Sequence, residues 1–74
     1  MNALDAVKLA ARKADIKSTE IGPAMGKSRS YIAANASRGS VPKADSLSSM
    51  LRVCGYELCA LPKDEVPKSA IIIS

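Results

Sequence analysis

Little in this chain is equipped for covalent chemistry. Histidine is absent, and Cys54 and Cys59 are the only thiols. No imidazole is available to activate a serine, threonine or cysteine as a nucleophile. Two thiols without histidine do not complete a tetrahedral zinc site. No carboxylate pair is concentrated in one place, and no glycine-rich loop is built to cradle a phosphate. The expectation is therefore no enzyme, no metal and no cofactor. The chemically suggestive stretch is residues 26–40, "GKSRSYIAANASRGS". It begins with cations and hydroxyls and continues with almost nothing bulky: Ala33, Ala34, Ala36 and Ser37. A helix that builds a core needs large apolar side chains, and one that only faces water usually carries charge pairs. This stretch has neither, so it reads as a helix trimmed to approach another surface closely.

The charge is arranged to suit such an approach. Residues 1–43 carry Lys8, Arg12, Lys13, Lys17, Lys27, Arg29, Arg38 and Lys43 against Asp5, Asp15 and Glu20. Residues 44–74 carry Arg52, Lys63 and Lys68 against Asp45, Glu57, Asp64 and Glu65. A basic portion joined to a nearly neutral one suggests a polyanion-facing region beside a scaffold or assembly region.

The 74 residues suffice for one small domain, and the lack of Phe and Trp leaves Leu, Ile, Val, Met and Ala to build its core. Residues 3–14 read as a helix with Leu4, Val7, Ala11 and Ala14 on one stripe, Asn2 as cap and Asp5 in the first turn. A second, short helix follows, capped by Ser18 or Thr19, with Ile21, Ala24 and Met25 inward and Gly26 as its terminator. Pro23 fits only an irregular or late-starting first turn. A third helix spans about 29–37 after a Ser28 cap, with Ile32 and Ala36 facing the core. A fourth runs from about 44 to 54 on the stripe Leu47, Met50, Leu51 and Cys54, and Gly55 stops it. "YELCALP" alternates in the manner of a strand, and "SAIIIS" is a β-branched run that also reads as a strand. The expected fold class is mainly α: four helices with a short C-terminal β-strand pair, divided into a unit at 1–55 and an extension at 56–74.

Two short helices joined by a tight glycine turn, the second opening on a serine, form a helix-turn-helix arrangement. Its second helix can lie in a DNA major groove, its small residues admitting the backbone and its N-terminal N–H groups facing a phosphate. Residues 18–58, "STEIGPAMGKSRSYIAANASRGSVPKADSLSSMLRVCGYEL", resemble the Cro and lambda-repressor type of helix-turn-helix, common in phages, prophages and bacterial regulators. The resemblance is carried by Ile21, Gly26, Ser28, Ile32, Gly39, Pro42 and Leu47. The sequence departs from the family's pattern at Gly22, where Ala is usual, at Pro23, and at Asn35, where a buried aliphatic is usual.

The resemblance implies a sequence-specific, repressor-like regulator of transcription that binds double-stranded DNA. Arg29 and Ser30 take the base-reading positions, and arginine can fork onto guanine O6 and N7. Ala33 and Ala34 can touch thymine methyls. Lys17, Ser18, Lys27, Ser28, Arg38 and Lys43 surround the helix and suit phosphates, which set register rather than sequence. Tyr31 either reaches a phosphate or packs. Asn35 is either a satisfied polar group at the domain edge or an adenine reader. The rival reading keeps the fold but binds protein, as an antitoxin-like or anti-repressor subunit. The thin core and the apolar ending "SAIIIS" suggest a homodimer joined by the C-terminal strands, or through the fourth helix if the strands fold back, and hence a palindromic operator. The N-terminus is too charged for a secretory signal core and no run approaches a membrane span, so a cytoplasmic chain with reduced thiols is expected.

Overall fold

A computed structural model describes all 74 residues. Four helices make the body: α1 (Ala3–Lys13), α2 (Ser18–Ala24), α3 (Tyr31–Ser37) and α4 (Ala44–Val53), followed by an irregular tail with one 3₁₀ turn at Lys63–Glu65. α1 starts as its sequence suggests. The Asn2 side chain accepts the Asp5 N–H at 2.9 Å, while Arg12 and Lys13 occupy the last turn, where the helix dipole favours cations. α1 packs on α4 and α2 packs on α3. Ala3, Ala6, Ala10 and Ala11 are all buried, so α1 presents a low-relief face that its neighbours can approach. Around it Leu4, Val7, Ile21, Ile32, Leu47, Met50, Leu51 and Cys54 complete the core.

α2 starts one residue earlier than a serine or threonine cap would allow. Lys17 holds the cap position, and the Glu20 carboxylate accepts its N–H at 3.1 Å. Pro23 is accommodated because α2 ends at the next residue, so the ring removes only the bond that an N–H there would have made to Thr19. Ala24 is exposed rather than inward, and buried Gly22 takes its place beside Ile21.

The expected C-terminal β-strand pair is absent: residues 56–74 contain no strand. The tail's backbone bonds are local or terminal. Glu65 N–H reaches Pro62 O at 2.9 Å, Ala70 N–H reaches Pro67 O at 3.1 Å, and Ser74 N–H reaches Met1 O at 2.9 Å. The Met1 ammonium also lies 3.4 Å from Ile72 O. The chain end thus pairs with the N-terminus instead of with residues 56–62. Tyr56, Leu58 and Ile71 pack against the helical core, which draws apolar residues of both segments onto the body. Between the tail and α1 and α4 lies an apolar cavity of about 460 Å³. Cys59, expected in a strand, is exposed on this irregular segment, whereas Cys54 is buried at the end of α4, where desolvation pushes its thiol pKa up. Both thiols are free. No helix is long and apolar enough to cross a membrane.

Candidate nucleic-acid interface

The α2–α3 turn is built from backbone geometry. Gly26 has φ +75°, the left-handed region that glycine enters without steric cost. Its N–H bonds Pro23 O at 3.0 Å, and Lys27 N–H bonds Gly22 O at 2.8 Å. This pair of bonds is the Schellman closure. Gly22 serves differently. A Cβ there would overlap the carbonyl oxygen of Ser28 and come within 2.9 Å of Tyr31 Cβ. The absence of a side chain at position 22 therefore lets α2 lie directly against the start of α3.

α3 begins two residues later than the expected 29–37. Tyr31 N–H bonds Ser28 O at 3.2 Å, which closes a turn over residues 28–31 before the helical ladder begins. Ser30, not Ser28, holds the cap position, without a side-chain cap bond. The two serine hydroxyls instead face each other at 3.2 Å. Arg29 and Ser30 thus lie in the exposed turn that leads into α3, not on the helix itself.

The inward register of α3 also differs from expectation. Ile32 is buried, but Ala36 is exposed and Asn35 is half-buried. The polar side chain is tolerated because it is satisfied. Asn35 Nδ2 donates to Tyr31 O at 2.9 Å, and Arg38 Nη2 donates to Asn35 Oδ1 at 3.2 Å. This agrees with Asn35 as a satisfied edge residue and leaves Ala33, Ala36 and Ser37 as the exposed face, with Ala34 half-buried.

Apart from Tyr31, Ala33 and Ala34, which lie on α3, the sequence-predicted site residues fall into three groups. Lys27, Ser28, Arg29 and Ser30 are exposed together in the turn. Arg38 and Lys43 are exposed at the two ends of the α3–α4 connection, Lys43 at the cap position of α4. Lys17 and Ser18 stand at the opposite end of α2 from Lys27, beside Arg12 and Asp15 at the end of α1. Tyr31 is half-buried and packs on the core, lining a groove with Met25, Asp45, Ser49 and Val53. Packing accounts for most of that side chain.

Electrostatics sharpens the picture. Residues 21–44 contain Lys27, Arg29, Arg38 and Lys43 and no acid, so the whole formal charge of +4 resides there and the rest of the chain is balanced. The one ion pair, Arg52 Nε to Glu57 Oε1 at 3.3 Å, lies elsewhere. All four cations of the segment are therefore free of carboxylate partners. This concentration is sharper than the division of charge at residue 43, and the acid-free window is visible in the sequence. The packing role of Gly22 and the exposure of Val41 were not anticipated; neither has a signal in residue type alone. No family model, curated protein or solved structure matches this chain.

Proposed function

We propose that the chain binds double-stranded DNA in a sequence-specific way and acts as a repressor-like transcriptional regulator, with α3 entering the major groove. One observation carries the reading. A two-turn helix exposes only Ala33, Ala36 and Ser37, and the four unpaired cations of an acid-free segment flank it. Seven residues span about 10 Å, and the major groove is about 12 Å wide. Small side chains permit close approach of the helix. In this reading Arg29, exposed in the turn ahead of α3, forks onto a guanine, and Ser30 lies next to it. Lys27, Ser28, Arg38 and Lys43 supply phosphate contacts, with Lys17 and Ser18 as an outlying pair at the far end of α2.

The test is affinity for duplexes selected from a random pool, measured across a salt series. Four cations on phosphates, Lys27, Arg38, Lys43 and the outlying Lys17, predict a slope of log K against log salt of about −3 to −4 for each bound chain. Arg29→Ala should cost about 1–3 kcal/mol on the selected site and relax selectivity at one base pair, whereas Lys27→Ala should weaken good and poor sites alike. Tight binding with a flat salt response would remove the phosphate-facing surface from the argument.

A second copy of the chain completes the proposal, because symmetric half-sites need two recognition helices. Leu61 and Ile72, 49% and 56% exposed on the tail, support a protein contact there. They also favour the rival reading of a protein-binding, antitoxin-like or anti-repressor subunit. Sedimentation at tens of micromolar, with and without selected duplex, separates the two. The DNA reading predicts two chains per duplex, and the rival predicts no duplex-bound species.

A further inference from the structure

Val41 is the most exposed large apolar residue of the molecule, at 84%. Apolar side chains scattered over a surface need no explanation by themselves. The setting of this one is different. It lies inside the acid-free segment, between Arg38 and Lys43, neither of which has a carboxylate partner. Its backbone is held on both sides. Ahead of it, Gly39 N–H bonds Ala36 O at 3.1 Å and Ser40 N–H bonds Asn35 O at 3.0 Å, which closes the end of α3. Behind it, Pro42 restricts Val41 to extended backbone. The Arg38 guanidinium is tied back to Asn35 at 3.2 Å, which fixes the near flank. Val41 and Ala36 line the same surface hollow, whose far wall is Asn2, Asp5 and Lys8 at the start of α1 and Ser74 at the chain end, so Val41 stands where the small-residue face of α3 meets α1. A branched apolar side chain is thus presented to solvent on a restrained loop, between two cations, at the edge of the face assigned to the groove.

We propose that Val41 makes an apolar contact with the duplex, against a thymine methyl or the face of a deoxyribose, and so helps to determine which sites are bound. The inference rests on the DNA-binding reading above. The two cations on either side would hold phosphates, and the ground between neighbouring phosphates on a strand is sugar and base edge. A contact of this kind exchanges no counterions, so its contribution does not depend on salt, unlike that of its neighbours.

The experiment compares the full chain with Val41→Ser, Val41→Ile and Lys43→Ala on a selected duplex across a salt series. Val41→Ser should lose about 5- to 20-fold in affinity, as expected for partial loss of a buried valine contact. Its salt slope should match that of the unsubstituted chain, and its thermal midpoint should not move. Val41→Ile should retain binding, and Lys43→Ala should flatten the slope by about one. Replacing the site's thymines with deoxyuridine distinguishes the two surfaces. A loss larger for the unsubstituted chain than for Val41→Ser assigns the methyl; an equal loss in both, or none, assigns the deoxyribose. Equal binding by Val41→Ser and the unsubstituted chain would overturn the inference while leaving the DNA reading intact. So would a loss that follows a lowered thermal midpoint or altered self-association. Absence of salt-dependent binding to any duplex by the unsubstituted chain would overturn both.

Discussion

The helical body and the tail have similar means and different outcomes. Each of the four helices ends the same way, with a residue in left-handed conformation: Asp15, Gly26, Gly39 and Gly55, at φ 59°, 75°, 65° and 79°. At each end the next N–H reaches back five residues, as from Ile16 to Ala11 O at 2.8 Å and from Tyr56 to Leu51 O at 2.9 Å. The polar groups at those ends are satisfied locally, so the body can spend its apolar side chains on one core. The tail is also rich in Leu, Ile and Val, yet the N–H groups of residues 57–61 find no backbone partner within the chain. An isolated two-stranded ribbon is marginal in water. Here the attraction of Leu58 and Ile71 to the body decides the arrangement instead. Apolar content brings a segment to a core, but a ladder of backbone partners is needed to make it a strand.

That contrast can be broken or sharpened by substitution. The largest effect is expected at Gly22. Glycine to alanine inside a helix ordinarily helps by about 1 kcal/mol. Here the added methyl meets the backbone of Ser28, and the change should instead cost about 3 kcal/mol or more in urea unfolding. A neutral result would mean that α2 and α3 are not in direct contact.

Next comes the difference between core and tail. Ile32→Ala, in the fully packed body, should cost about 2–5 kcal/mol. Leu58→Ala, at a half-buried tail position, should cost about 1 kcal/mol. Equal losses in chemical denaturation would show that the tail belongs to the same cooperative core and would erase the distinction.

The smallest effect is expected at the one helix end that lacks glycine. Asp15 holds a left-handed conformation that costs a side-chain-bearing residue roughly 1 kcal/mol. Asp15→Gly should therefore raise stability slightly, by at most about 0.5 kcal/mol after the added flexibility of the unfolded chain is set against it. A lowered thermal midpoint would indicate that the aspartate makes a compensating interaction at the α1–α2 corner.

The helices were legible because their signals are local. Asn2 with Asp5, the stripe Leu47, Met50, Leu51 and Cys54, and the glycines at 26, 39 and 55 locate starts, faces and stops without reference to distant residues. The basic segment was legible for the same reason, since charge is read directly from composition. Three features required the tertiary structure. The inward register of α3 settled on Asn35 rather than Ala36, because the amide could satisfy itself on Tyr31 O and Arg38, an outcome that hydrophobicity alone would rank against. The start of α3 moved to Tyr31, because α2 presses against Ser28 through Gly22 and the backbone there closes a turn first. The fate of the tail was decided by competition between pairing with itself and packing on α1 and α4. Alternating residues are compatible with a strand, but only the arrangement of the whole chain determines whether a partner strand is within reach.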